Sequence, residues 1–143
     1  MNATKQLHDI GQSIWLDNIT RGILDDGTLA KFIADDNVTG LTSNPSIFDK
    51  AISGGHDYDG AIADLLARGR HGEDLFFSLA LRDLTRAADM FKPAFHSSDG
   101  VDGFVSLEVS PLLADDTEAT IESAATLHAK ARRDNLFIKI PGT

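Results

Sequence analysis

Leu136-Phe137-Ile138-Lys139-Ile140 is a run of five residues, four of them apolar, with a lysine set among them. Its β-branched and aromatic content predicts a strand of ordinary length. In a strand Lys139 points to the same side as Phe137, and Ile138 and Ile140 point to the other. Two readings of such a lysine are open. An inward-facing one is desolvated, and desolvation favours the neutral, nucleophilic amine. One on an edge strand reaches solvent along its alkyl stem and discourages aggregation.

Three further runs read as strands: Ser13-Ile14-Trp15-Leu16-Asp17, Val38-Thr39-Gly40-Leu41-Thr42 and Gly103-Phe104-Val105-Ser106-Leu107-Glu108-Val109. Trp15 and Phe104 are expected in the core. Helical patterns fill the intervals. Residues 27–36 place Leu29, Phe32 and Ile33 on one face, and residues 58–68 do the same with Ile62, Leu65 and Leu66. Pro45 suits a first helical turn, with Asn44 as its cap. Residues 73–91 form the longest pattern, and Pro93 is expected to stop it. Asp115 with Glu118 predicts a capping box for a helix that ends near Arg133 and presents Ile121, Ala124, Ala125 and His128.

Strands separated by helices pair in parallel through crossovers. Two α/β architectures follow. One is a (β/α)8 barrel, or about four β/α units of one. The other is an open doubly wound sheet, a non-catalytic binding domain. In both, ligands bind at the carboxyl ends of the strands. Asp17, Asn44 and Glu108 lie at or just past such ends, and Lys139 lies within the fourth strand. Packing alone does not explain four complementary polar residues at that end.

The composition narrows the partners. The chain has 143 residues, no cysteine, and 13 Lys plus Arg against 22 Asp plus Glu, a formal net charge of -9. The absence of cysteine excludes a disulfide framework and a thiolate metal site. The acidic balance argues against nucleic acid and anionic membranes as partners, since counterion release rewards cations. No apolar run approaches the ~20 residues of a membrane span. The five histidines show no metal-ligand spacing. A cytoplasmic setting is expected.

The chemistry of the four residues is mutually consistent. A neutral Lys139 can attack a ketone to form a Schiff base. Glu108 and Asp17 are acid/base candidates, one to relay protons during imine formation and one to take a hydroxyl proton as a carbon–carbon bond breaks. The simpler alternatives are a turn cap for Asp17 and an exposed strand end for Glu108. The Asn44 amide can bind a hydroxyl as well as cap a helix. Thr42 and Ser43 are further polar candidates.

At these residues the sequence resembles transaldolase, of the longer bacterial type. Four segments carry the likeness: Ser13-Ile-Trp-Leu-Asp17-Asn-Ile-Thr-Arg-Gly22, Gly40-Leu-Thr-Ser-Asn-Pro-Ser-Ile-Phe48, Asp102-Gly-Phe-Val-Ser-Leu-Glu-Val-Ser-Pro111 and Asn135-Leu-Phe-Ile-Lys-Ile-Pro-Gly-Thr143. The resemblance implies a (β/α)8 TIM barrel of the class I aldolase type. It implies transfer of a dihydroxyacetone unit between sugar phosphates in the pentose phosphate pathway, with no metal or organic cofactor. It assigns Lys139 as the Schiff-base lysine, Glu108 as the acid/base carboxylate acting through a water, and Asp17 as the acceptor of the C4 hydroxyl proton. Asn44 and Thr42 become substrate-binding. A whole barrel takes ~250 residues, so the chain is expected to be the N-terminal half of one, residues 1–143 forming a single incomplete segment. Such a half-barrel is expected to be inactive alone and to self-associate through its exposed edges.

Overall fold

The computed structural model describes residues 2–142, so Thr143, the last residue of the fourth segment, lies outside the described residues. The order is α1 (Ala3–Asp9), β1 (Trp15–Leu16), α2 (Arg21–Asp25), α3 (Thr28–Asp35), β2 (Gly40–Thr42), α4 (Pro45–Ser53), α5 (Asp59–Ala67), α6 (Gly72–Ser97), β3 (Val105–Glu108), a 3-10 turn (Pro111–Leu113), α7 (Thr117–Ala131) and β4 (Leu136–Lys139). The strands make one parallel sheet in the order β1-β2-β3-β4. That order contains no reversal. A doubly wound sheet needs one at its switch point, so the open-sheet alternative is excluded.

The two faces of the sheet differ. Leu41, Val105, Leu107 and Leu136 are buried on one face, packed with Ala80, Leu84, Ala87, Ala88 and Phe91 of α6. The other face carries Trp15, Thr42, Ser106, Glu108, Phe137 and Lys139. It is largely open, with Trp15 36% and Phe137 47% exposed. Sequential parallel strands with helices on one side form the wall of a (β/α)8 barrel, here four of the eight strands.

Trp15 and Phe104 are therefore not core residues. Phe104 is half-buried and both lie on the open face among other aromatic rings. Pro93 does not stop α6, which runs on to Ser97. Tertiary packing outweighs the lost hydrogen bond: Phe95 meets Phe104 edge-on, with ring centroids 5.2 Å apart. The cap of α7 is Asp116, which accepts from the Ala119 N–H at 2.9 Å. Glu118 then sits one position too early for a capping box. The buried stripe of α7 is Ala124, Leu127 and Ala131, whereas Ile121, Ala125 and His128 are exposed. The short helices α1 and α2 have too few apolar residues to announce themselves.

One buried side chain fixes how α6, β3 and β4 meet. Asn135 donates from Nδ2 to the carbonyls of Ala88 (2.8 Å) and Gly103 (2.9 Å). The Asn135 backbone carbonyl accepts from the Val105 N–H at 3.0 Å. Gly103 has φ +83°, and a Cβ there would lie 2.2 Å from the Phe95 nitrogen. Only glycine satisfies both the turn and the close approach.

The turn before β4 is tied to α6 by Arg133, whose Nε and Nη2 each donate to the Asp89 carboxylate at 2.7 Å. The guanidinium holds the Asp89 carboxyl below the usual carboxylate range. The contribution of a carboxyl with a depressed folded-state value is present above its unfolded value of about 4 and is lost as pH falls through the folded one. Asp89→Asn should cost up to about 1 kcal/mol in urea titrations at pH 7. The difference from wild type should shrink below pH 4, and a difference independent of pH would contradict this account.

Candidate active site

Parallel pairing puts Glu108 directly opposite Lys139 at the carboxyl ends of β3 and β4. The Lys139 Nζ lies 3.0 Å from Glu108 Oε2. It also donates to the Ser43 carbonyl at 2.9 Å, which ties β4 to the loop after β2. One layer below, the Thr42 and Ser106 hydroxyls are 2.8 Å apart. The Ser43 hydroxyl donates to the Ser106 carbonyl at 2.7 Å. Lys139, Glu108, Thr42 and Ser106 thus form one polar cluster on the open face, joined through Ser43, which is itself fully buried.

Lys139 is not enclosed. Its side chain is 38% exposed and that of Glu108 17%. The expected desolvation needs the opposite wall of a barrel, and four strands provide only one wall.

Asn44 caps α4 as expected, its Oδ1 accepting from the Ile47 N–H at 2.8 Å. The cap occupies only the oxygen. Among the described residues the Nδ2 has no hydrogen-bond partner and remains available to a ligand. Asp17 stands apart from the cluster. It lies one residue beyond the last paired position of β1, level with Thr42, and is exposed. It does not cap the turn that follows, because Thr20 does so for α2, accepting from the Ile23 N–H at 3.2 Å.

Sequence reasoning passed over Ser106. Its signal was present, since it sits two residues before Glu108 and must share its face. Beneath the polar cluster lies an aromatic floor. Phe137 stacks on Phe104 with centroids 3.9 Å apart, and Trp15 lies parallel to Phe137 at 6.5 Å. β1 and β4 are three strand spacings apart, about 14 Å along the sheet. Their rings meet because the sheet curls.

This geometry is a lysine and a carboxylate at the carboxyl ends of a curled, sequentially ordered parallel sheet. A model of the transaldolase/fructose-6-phosphate aldolase family matches residues 14–143. The chain belongs to that family. It is 49% identical over 140 residues to a transaldolase of Arthrobacter sp. (strain FB24), covering 98% of this chain and 38% of the relative. It is 46% identical over 143 residues to a transaldolase of Thiobacillus denitrificans, covering 100% and 40%. To a transaldolase of Thermobifida fusca it is 48% identical over 139 residues, covering 97% and 38%. The chain thus spans about two-fifths of the length of the curated relatives it matches. In a family built on a barrel, the open face of this sheet is interior wall, and the cluster sits at the carboxyl end of that wall.

The floor also makes a demand on β2. A Cβ at Gly40 would fall 2.4 Å from the Trp15 ring. Gly40→Ala should therefore displace the indole and destabilise the chain by about 1–3 kcal/mol. Trp15 is the sole tryptophan, so its emission reads the displacement directly as a shift to longer wavelength. An unchanged spectrum with unchanged stability would show that the ring does not rest there.

Proposed function

We propose that this chain carries the Schiff-base half of a transaldolase site. The supporting observation is the Lys139–Glu108 pair, 3.0 Å apart at the carboxyl ends of adjacent strands. In this reading Glu108 takes the Lys139 proton, directly or through a water, and the neutral amine attacks the ketone carbon of a ketose phosphate. Glu108 returns a proton as water leaves and the iminium forms. Asp17 accepts the proton of the C4 hydroxyl. The C3–C4 bond breaks, its electron pair enters the iminium to give an enamine, and the aldose phosphate departs. The same steps in reverse join the enamine to an acceptor aldose phosphate. Asn44 Nδ2 and the Thr42 hydroxyl hold the hydroxyls of the three-carbon unit so that it waits in place. The iminium is the electron sink, so no cofactor is called for.

The substrates of this reading are sedoheptulose 7-phosphate or fructose 6-phosphate as donor and glyceraldehyde 3-phosphate or erythrose 4-phosphate as acceptor. The reading places the protein in the cytoplasm and in the pentose phosphate pathway. A net charge of -9 disfavours nucleic acid as a partner. Among the described residues no helix is long and apolar enough to cross a membrane. The 143 residues are read as one incomplete barrel segment. No residue in it is assigned to the substrate phosphate, and one wall leaves the enamine open to water. The chain alone is therefore read as unable to complete a transfer. The unpaired outer edges of β1 and β4, with the exposed aromatic face between them, favour self-association.

Borohydride trapping tests this. With dihydroxyacetone, the chain should gain a stable secondary-amine adduct at Lys139 that Lys139→Met abolishes. Glu108→Gln should slow its formation by about 10²–10⁴-fold. Absence of an adduct, or an adduct at another lysine, would overturn the Schiff-base reading. Measured transfer from fructose 6-phosphate to erythrose 4-phosphate by the chain would overturn its inactivity. A compact monomer by light scattering at high concentration would overturn the self-association.

A further inference from the structure

Asp17 makes no ion pair among the described residues, so nothing it bonds to holds its carboxylate. Its position rests on the backbone that follows it. That backbone ends at Arg21, whose side chain bonds to two other segments. Arg21 donates from Nε and Nη2 to Asp83 Oδ1 at 3.3 and 3.1 Å. Its Nη1 donates to the Asp57 carbonyl at 3.1 Å. Its guanidinium lies over the Tyr58 ring, 4.2 Å from the centroid. Its backbone N–H donates to the Tyr58 hydroxyl at 3.1 Å. Arg21 is thereby fastened at once to α6 and to the entrance of α5.

The cluster is buried. Asp83 is fully buried on α6, as is Tyr58, and the Arg21 side chain is 11% exposed. Burial, with the Asp83 carboxylate beside it, pushes the Tyr58 hydroxyl well above its usual range, so it stays protonated. A buried ion pair is a poor way to gain stability, because desolvation offsets its attraction and apolar residues of similar volume often do as well or better. What it supplies is a fixed geometry. Arg21 has five donors in a rigid plane, and the cluster uses that plane on three sides. Between Arg21 and β1 only four residues intervene, Asp17 to Thr20. Ile19 is fully buried and Thr20 is the α2 cap. The loop is thus pinned at its far end, while Asp17 at its near end is exposed.

We propose that Arg21, Tyr58 and Asp83 are positioning residues for Asp17, holding the β1–α2 loop so that its carboxylate stands where the C4 hydroxyl proton is released. This rests on the reading of Asp17 given above. None of the three touches the substrate in this proposal.

Single-turnover trapping of the chain with fructose 6-phosphate and borohydride tests it by the mass of the adduct on Lys139. Trapping before cleavage leaves the six-carbon unit. Trapping after C3–C4 cleavage and loss of glyceraldehyde 3-phosphate leaves the three-carbon unit. Arg21→Lys and Tyr58→Phe keep the charge and the ring and so spare the fold, while Arg21→Met is the severe variant. Each should lower the ratio of three- to six-carbon adduct, by up to about a hundredfold for Arg21→Met, with total adduct unchanged. On an Asp17→Asn background they should lower it no further. Hydrogen exchange over residues 17–24 should quicken in all three variants whatever the chemistry does. Equal losses with and without Asp17, a parallel fall in total adduct, or unchanged exchange would each overturn the proposal. If Asp17→Asn itself leaves the ratio unchanged, the role given to Asp17 fails, and the exchange measurement decides the anchoring separately.

Discussion

The register of β4 against β3 governs the placement of the site. Val105, Ser106, Leu107 and Glu108 stand opposite Leu136, Phe137, Ile138 and Lys139. Side chains alternate along a strand, so a slip of one residue in β4 would turn Lys139 into the helices and Ile138 onto the open face. The site itself cannot prevent that slip, because it lies at the end of the ladder and is partly solvated. The core prevents it. Leu136, Val105 and Leu107 are buried against α6, and Asn135 bonds the backbone at the start of both strands. Lys139 reaches Glu108 because apolar residues on the opposite face have nowhere else to go.

This explains which features were legible in the sequence. Strand positions follow from short β-branched runs, and the face of each polar residue follows from period-two alternation. Glu108, Lys139 and Thr42 could therefore be grouped before their contacts were known. Asn44 was legible as a cap from the proline beside it. What escaped depends on partners distant in sequence. Pro93 reads as a stop until Phe95 is seen against Phe104. Trp15 reads as core until the sheet is known to have one covered face. The pattern of α7 points to the wrong rotation, because Ile121 is apolar yet faces outward. The Arg21 cluster has no local signature, since Tyr58 lies 37 residues away and Asp83 62.

The curl of the sheet adds a second constraint. The open face is interior wall in the family's barrel, and this chain lines it with aromatic rings. Phe137 bridges Phe104 and Trp15, drawing the two edge strands toward a common centre. Phe137 and Lys139 are two residues apart on one face, so the same ring that closes the floor also forms the base from which the lysine rises. Gly40 is the concession that lets the indole lie across β2.

Two ion pairs in this chain follow opposite logic. Lys139–Glu108 is partly exposed, so its net contribution to stability is of order 0–1 kcal/mol. A pair that holds so little is separated cheaply, as the role proposed for Lys139 requires. Arg21–Asp83 is enclosed, and removing either member leaves a buried charge at a cost of about 3–5 kcal/mol. Such a pair fixes what is attached to it. The first sits at the carboxyl ends of β3 and β4, and the second anchors the end of the loop that carries Asp17. Burial thus separates a pair that can exchange partners from one that holds its surroundings in place.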